Sequence, residues 1–239
     1  MKFLNISNSM LTLAFDTSFK TVAVAVMQDD VILCDVLVNS GLHHSETLLP
    51  SIDQALRQLK LKIEDIDFFA CTLGPGSFTG LRVGVSTLKG LLLATGKPSA
   101  GVSSLASLAL NVTGSEDLIC PVMDAGRGQV YTAAYRYNEN GLLNQTSPEI
   151  VVDPREVLRE TKEKIIFVGE GAIKYRDLLL QKAKAGKIAA NGHQHIRACA
   201  VGILGREKYE QNELLDPAAF TPVYLRAVDA KLGRRLFEK

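Results

Sequence analysis

The chain has 239 residues, of which 46% are hydrophobic and 22% charged, and its formal net charge is +1. This composition is typical of a soluble globular protein, and we expect two lobes. The near-neutral charge excludes an overall basic field for nucleic acid, so any RNA contact has to be local or supplied by a partner. Its apolar runs are shorter than the roughly 20 residues of a membrane span, and its four scattered cysteines are typical of a reducing compartment. We predict a cytoplasmic protein without a membrane contact.

The first part of the chain predicts an α/β lobe. Residues 1–9 are polar and precede Met10, so we expect a disordered extension there. Runs rich in β-formers then alternate with apolar residues at helical spacing, in the order βββαβαβα. The predicted bounds are 11–17, 21–27 and 31–38 for three strands, about 46–60 for a helix, 67–73 for a strand, about 79–95 for a helix, 100–103 for a strand and 104–110 for a helix. This is the order of a ribonuclease-H-like sheet.

A polar stretch at 111–117 predicts a linker. It divides the chain into an N-terminal lobe at 10–110 and a C-terminal lobe at 111–239. The sequence of the C-terminal lobe predicts two strands around a glycine turn, followed by strand and helix units. Its final helix, at about 197–210, is a candidate to pack back on the first lobe.

The stretch LGPGSFTGLRVG, residues 73–84, places glycines and a proline directly before a helix. Glycine allows close backbone approach, serine or threonine can cap the helix, and an exposed helix N-terminus favours an anion. The stretch lacks the Gly-Lys-Ser/Thr ending of a Walker loop. The segment DTS ends the first strand, where ligand crevices form in α/β sheets, although these residue types equally favour a tight turn. We hypothesise a nucleotide site at Asp16, Thr17, Ser18, Gly74, Gly76, Ser77 and Thr79, with a hairpin turn and a helix start as the alternative.

The remaining polar residues indicate little catalytic chemistry. His43 and His44 with Glu46, like His193 with His195, lack an obvious third ligand for zinc. No GxSxG, HExxH or Cys/His nucleophile pattern is present in the sequence. The turns DAGRG and GEG in the second lobe either touch phosphate through backbone N–H groups or serve only as connections. We predict no catalytic residue, no metal site and no cofactor required by this chain alone.

Glycines also interrupt the helix that follows the loop. Gly80 and Gly84 lie four residues apart, and a glycine inside a helix costs about 1 kcal/mol relative to alanine. Another backbone should therefore approach closely. That neighbour is either the chain's own sheet or a partner helix.

Five segments follow one another in the order found in one protein family: LAFDTSFKTVAVAV, HHSETLLPSIDQAL, GPGSFTGLRVGVSTLKGL, DAGRGQVY and PVYLR. From Met10 to about Arg226 they resemble the TsaB family of bacterial tRNA threonylcarbamoyladenosine biosynthesis proteins, long called glycoprotease-like. The sequence departs from that family at Gly126 and Gln129, where arginine and glutamate are common. The resemblance implies a two-lobed fold of the actin, sugar-kinase and heat-shock-chaperone ATPase type, with each lobe ribonuclease-H-like.

The resemblance also implies a role as a non-catalytic partner subunit. TsaD, the catalytic paralogue, would require it when transferring a threonylcarbamoyl group to the tRNA adenosine that follows the anticodon. The ATPase TsaE would join this assembly, tRNA would be reached through the complex, and ATP or ADP could bind at the junction. Catalytic paralogues bind their metal through two histidines in a VNHxxxH pattern. The matching VSSLASL places Ser104 and Leu108 at those positions, and neither is a good metal ligand.

The implied interface is a four-helix packing against the equivalent helices of TsaD. On this chain it would comprise Ser45, Leu48, Leu49 and Ile52 on one helix and Gly80, Gly84, Thr87 and Leu91 on the other. The same face would serve a homodimer in the absence of TsaD. The alternative is an enzyme, either a metal-dependent peptidase or a nucleotide-binding, kinase-like enzyme in which Asp16 and Asp124 hold the metal.

Overall fold

Two β-sheets with helices on their faces organise the computed structural model, which describes residues 9–158 and 162–225. The strands are β1 (Leu11–Asp16), β2 (Val22–Gln28), β3 (Val31–Val38), β4 (Phe68–Gly74), β5 (Ser99–Ser103), β6 (Leu118–Gly126), β7 (Gln129–Thr132), β8 (Tyr135–Tyr137), β9 (Leu143–Gln145), β10 (Ile150–Val152), β11 (Ile165–Val168) and β12 (Lys187–Ile188). The helices are α1 (His44–Leu59), α2 (Phe78–Thr95), α3 (Ser104–Ala109), α4 (Glu170–Lys174), α5 (Arg176–Lys182) and α6 (Ala198–Glu210). No helix in these ranges has the length and apolar character that a bilayer span requires. The predicted extension, apart from Ser9, and Arg226 of the PVYLR segment lie outside the described residues.

The first sheet has the strand order β3-β2-β1-β4-β5. Strands β1, β2 and β3 are antiparallel, and β4 and β5 continue the sheet in parallel with β1. A meander followed by helix-linked parallel strands confirms the predicted α/β fold with a ribonuclease-H-like strand order. Helix α1 begins at His44 rather than at about 46, and α2 begins at Phe78 rather than at about 79.

Helices α1 and α2 cover one face of this sheet, and their apolar side chains join one core with it. Leu48, Leu56 and Leu88 pack there with Phe15 and Phe69. Full burial of such a side chain contributes roughly 1.5–3 kcal/mol to stability. This packing fixes the N-terminal ends of both helices beside the glycine loop.

Helix α6 covers the opposite face of the first sheet, where it contacts β1, β2, β4 and β5. Two glycines let it approach the strands closely. A Cβ atom at Gly202 would lie 2.5 Å from Met27 Sδ, and one at Gly205 would lie 2.5 Å from Ala70 Cβ. The chain therefore returns from the second lobe to complete the first.

The second sheet has the strand order β10-β7-β6-β11-β12, with β8 and β9 paired beside β6. The predicted pair of strands around a glycine turn corresponds to β6 and β7. Their turn requires left-handed backbone conformations, with φ values of 71° at Gly126, 53° at Arg127 and 76° at Gly128. This turn projects toward the first lobe and forms part of the cleft described below.

Residues 213–225, which we call the C-terminal strap, run back along the first lobe after α6. The Leu215 N–H donates to the Ser99 carbonyl at 2.8 Å, and the Val223 N–H donates to the Leu73 carbonyl at 2.7 Å. Phe220 is buried in the α1–α2 core. The strap thereby brings its last described residues to the glycine loop.

Candidate functional site: the interlobe cleft and the α1–α2 groove

The glycine loop between β4 and α2 packs tightly against its own chain. A Cβ atom at Gly76 would lie 2.2 Å from the Ser18 carbonyl oxygen, and one at Gly74 would lie 2.4 Å from the Val223 carbonyl oxygen. The Ser77 N–H donates to the Ser18 oxygen at 2.7 Å. The Ser77 hydroxyl caps α2 by accepting from a first-turn N–H at 3.3 Å. The glycines therefore let the loop close on the β1–β2 turn and on the strap.

The DTS segment lies buried beneath this loop. Asp16 is 0% exposed, and its Oδ1 accepts from the Ser18 N–H at 3.0 Å and from the Thr72 hydroxyl at 2.5 Å. Burial raises the pKa of Asp16, while the hydrogen bonds from Ser18 and Thr72 act to lower it. The Thr17 hydroxyl donates to the Gly80 carbonyl at 2.8 Å. These hydrogen bonds of Asp16 and Thr17 point into the protein, as in the alternative of a tight turn, whereas Asp16 Oδ2 and Ser18 Oγ are buried without a hydrogen-bond partner among the described residues. The nucleotide site at Asp16, Thr17 and Ser18 stays a prediction.

A cleft between the two lobes contains a cavity of about 630 Å³. Its walls are Phe19, Lys20, His44, Gly76, Ser77, Phe78 and Tyr224 from the first lobe and Asp124, Ala125, Gly126, Arg127, Tyr131 and Glu170 from the second. Of the predicted nucleotide residues, Gly76 and Ser77 line this cavity, whereas Gly74 and Thr79 do not. The sequence analysis missed the aromatic rings of the cleft, because they come from segments far apart in the chain. No short sequence motif contains these aromatic residues together.

The two acidic groups of the cleft differ in their partners: Asp124 forms an ion pair with Lys174, whereas Glu170 Oε1 is buried without a hydrogen-bond partner among the described residues. Asp124 accepts from Lys174 Nζ at 2.6 Å and from the Gly126 N–H at 2.9 Å. Burial acts to raise the pKa of Asp124, but these hydrogen bonds outweigh it, and the pKa is lowered. Burial raises the pKa of Glu170, and the nearby Lys20 opposes that rise. The cleft thus has walls of mixed charge rather than a uniformly cationic cradle for phosphates.

A second cavity, of about 490 Å³, is a groove between α1 and α2. Its lining residues are Ser45, Leu48, Leu49, Phe78, Thr79, Arg82, Val83, Ser86 and Thr87. The structure therefore brings the predicted interface residues Ser45, Leu48, Leu49 and Thr87 to one surface. Ile52 and Leu91 do not line the groove, because Ile52 is buried against the sheet and Leu91 is half-buried beside that core.

The two glycines of α2 face inward. A Cβ atom at Gly80 would lie 2.1 Å from the Thr17 carbonyl oxygen, and one at Gly84 would lie 2.5 Å from Thr17 Oγ1 and 3.4 Å from Cys71 Sγ. The predicted interface residues Gly80 and Gly84 therefore do not line the groove. The close approach that they permit is to the chain's own β1–β2 turn, and α2 is seated on the sheet by it.

One aromatic side chain, Phe78, separates the cleft from the groove and lines both. The Tyr224 ring, in the cleft, lies with its centroid 5.1 Å from that of Phe78. The Arg82 guanidinium, in the groove, lies 3.8 Å from the Phe78 centroid. We call these three side chains the Arg82–Phe78–Tyr224 stack. It ties the strap to the first turns of α2.

The two residues that the family resemblance compares with metal-binding histidines lie in the core of this protein. Ser104 is 0% exposed and Leu108 is 2% exposed. His44 Nε2 contacts the Phe19 carbonyl, and His193 Nδ1 contacts the Asn111 carbonyl at 2.6 Å. Within the two described ranges, no three His, Cys, Asp or Glu side chains are grouped as they would be to hold a metal ion.

Comparison with known proteins agrees with this architecture. The family of tRNA N6-adenosine threonylcarbamoyltransferase, TsaD, matches residues 39–233. The tRNA threonylcarbamoyladenosine biosynthesis protein TsaB of Bacillus subtilis is 32% identical over 93% of this chain and 96% of its own length. TsaB of Escherichia coli is 28% identical over 91% of this chain and 95% of its own length. The solved structure of YeaZ from Pseudomonas aeruginosa superposes with a TM-score of 0.77 and 26% identity, covering 90% of this chain and 100% of that one. The chain belongs to the TsaB family of tRNA threonylcarbamoyladenosine biosynthesis proteins, within the wider TsaD family.

Proposed function

We propose that this protein is a non-catalytic subunit that TsaD requires, together with TsaE, to transfer a threonylcarbamoyl group to the tRNA adenosine following the anticodon. It would act in the cytoplasm and reach tRNA through the complex. The observation that carries this proposal is the open groove between α1 and α2 in a chain of the TsaB family. The groove offers a docking surface, whereas the cleft offers no assembled catalytic group.

The groove has the composition of a protein interface. Leu49 is 54% exposed there, Val83 is half-buried, and Leu48 forms the floor beside Thr87 and Ser86. The groove also contains Phe78 and Arg82, and aromatic residues and arginine are enriched at protein interfaces. A specific interface on this scale should bury on the order of 2,000 Å² or less in total. The family match to TsaD supports equivalent helices on the partner as the occupant.

The same groove supports self-association of the isolated protein. A patch that accepts two helices of a related chain can also accept the equivalent helices of a second copy, which gives an isologous homodimer. TsaD and a second copy would then compete for one surface. ATP or ADP at the junction would have to use Gly76 and Ser77, since the other predicted nucleotide residues lie outside the cleft.

The positions of the polar side chains support the proposal that this subunit is not itself catalytic. Ser104 and Leu108 offer no histidine-like ligand, and both are buried. Asp16, the candidate metal-binding carboxylate, is fully buried and hydrogen-bonded to Thr72. The isolated protein should therefore show neither ATP turnover nor proteolysis. Turnover that disappears in Asp124→Asn would favour the alternative of a cleft enzyme.

The decisive experiment changes the groove without changing the fold. Leu49→Asp places a carboxylate where the partner must exclude water, so TsaD binding should weaken roughly 30-fold or more. The readouts are TsaD pull-down and reconstituted threonylcarbamoyladenosine formation with the protein omitted, restored or replaced by the variant. Leu93→Asp is the matched control, because Leu93 is 91% exposed on the neighbouring helix α2 and does not line the groove. Full binding and activity of Leu49→Asp would reject this surface.

A further inference from the structure

Among the described residues that line the groove, one side chain is cationic, that of Arg82, and it contacts an aromatic ring. Its guanidinium lies 3.8 Å from the Phe78 ring centroid, and Phe78 is supported on its cleft side by Tyr224 at 5.1 Å. Among residues 9–158 and 162–225, no carboxylate forms an ion pair with Arg82. The cation–aromatic contact favours this orientation of the exposed side chain, which lowers the conformational entropy that Arg82 loses on binding.

Docking changes the surroundings of this cation. A helix that fills the groove removes water from Arg82 as well as from Leu49 and Val83. A buried, unpaired guanidinium is strongly unfavourable, whereas one that meets a carboxylate forms a charge-assisted and often bidentate contact. A well-matched partner therefore has to bring an acidic side chain to this point.

A second copy of this chain does not meet that requirement. Helix α2, FTGLRVGVSTLKGLLLAT, contains no aspartate or glutamate. The acidic residues of α1, Glu46 and Asp53, do not line the groove, and Asp53 already pairs with Arg57 at 2.8 Å. An isologous dimer would instead bring two Arg82 side chains into the same interface. Like charges at an interface disfavour that pairing.

We propose that Arg82 selects the partner of the groove: a helix surface with a carboxylate directed at the guanidinium docks tightly, and a second copy of this chain docks weakly. This inference rests on the proposed function, in which the groove binds TsaD. It adds the chemistry of the partner, an acidic side chain within an otherwise apolar helix face. It also assigns Arg82 as the residue that separates the heterodimer from the homodimer.

The test is Arg82→Gln, which removes the charge and keeps a long polar side chain. Binding of the variant to TsaD should weaken about 30-fold, because the partner's carboxylate is left unpaired in the interface. Self-association of the variant, measured by analytical ultracentrifugation, should strengthen, because the repulsion between two guanidinium groups is lost. A role of Arg82 in folding alone would weaken both associations together. Arg57→Gln is the control, because Arg57 is exposed on α1 outside the groove.

The outcomes separate this inference from the proposed function. If the wild-type protein does not bind TsaD, the proposed function fails, while the self-association measurement still tests Arg82. If the wild-type protein binds and Arg82→Gln binds equally well, only the role of Arg82 is overturned. Equal weakening of both associations also overturns it. If selection by charge is correct, raising the salt concentration should weaken TsaD binding more for the wild-type protein than for Arg82→Gln.

Discussion

The cleft and the groove share the Phe78 side chain but differ in how far their polar groups are already satisfied. In the cleft, Asp124 pairs with Lys174, and Glu170 lies near Lys20. In the groove, Leu49 is exposed and Arg82 has no ion-pair partner among the described residues. The charged groups of the cleft therefore lie beside opposite charges of the same chain, with Glu170 Oε1 buried and without a hydrogen-bond partner among the described residues. The groove instead exposes the two side chains that, in the proposed function, a partner would cover.

The largest change in stability is expected where α2 packs against the β1–β2 turn. Gly80→Ala would place a Cβ atom 2.1 Å from the Thr17 carbonyl oxygen, which is backbone and can move little. We expect destabilisation by about 2–3 kcal/mol, as for overpacking of a core. Urea unfolding of the isolated protein measures this change.

Gly90→Ala is the matched control on the same helix. Among the described residues, no atom other than the neighbouring backbone of α2 lies within 4 Å of its added Cβ. That change should stabilise the protein by about 1 kcal/mol, because alanine favours a helix. If Gly80 were exposed for a partner helix, Gly80→Ala would behave like Gly90→Ala in the free protein. Equal stabilisation by both changes would therefore contradict the inward packing of α2.

The sequence predicts the helices and strands far better than it predicts how α2 packs against the β1–β2 turn. Alternating and helical periodicities depend on apolar side chains, which is why the strand order of the first lobe and both its long helices were found. A glycine has no side chain and adds nothing to an amphipathic pattern, so Gly80 and Gly84 could not be assigned to the inner face of α2. The groove residues Leu49 and Thr87 were identified because the family resemblance pointed to these helices.

The cleft was harder to predict for a different reason. Its aromatic wall depends on the strap, which brings Tyr224 beside Phe78 by way of hydrogen bonds between segments distant in sequence. For Asp16 the sequence leaves two interpretations open, because a carboxylate at a strand end can belong to a ligand site or to a tight turn. The burial of Asp16 and its hydrogen bond to Thr72, which favour the turn, are visible only in the structure.

A smaller effect is expected from the wall that the two cavities share. Phe78→Leu removes one cation–aromatic contact and one aromatic pair, so we expect a loss of about 1–2 kcal/mol in the free energy of unfolding. TsaD binding should also weaken several-fold, because Arg82 is no longer held in the groove. Tyr224→Phe, which keeps the aromatic pair, should leave both quantities nearly unchanged. If Phe78→Leu binds TsaD as tightly as Tyr224→Phe does, the stack does not position Arg82.

The smallest effect is expected in the pH dependence of stability, where the pKa values of two aspartates are shifted in opposite directions. Burial raises the pKa of Asp16, so the folded protein retains that proton more readily than the unfolded chain does. Its contribution to stability therefore falls as pH rises from the unfolded pKa through the raised folded value, and remains unfavourable above it. Asp16→Asn keeps an oxygen acceptor for Ser18 and Thr72 without the charge. The variant should be more stable than the wild type at pH 7, and the gap should close in acid.

Asp124 should behave in the opposite sense. Burial acts to raise its pKa, but hydrogen bonds from Lys174 and Gly126 lower it overall, so its charge stabilises the fold above the unfolded pKa. That contribution is lost as pH falls through the lowered folded value. Asp124→Asn should therefore be less stable than the wild type at pH 7 and approach it in acid. Urea unfolding at pH 7 and at about pH 2, below the ordinary aspartate pKa, measures both variants. If Asp16→Asn instead lost stability at pH 7 as Asp124→Asn does, the Asp16 charge would have to be stabilised in the fold, and the reading of Asp16 as a sealed turn residue would fail.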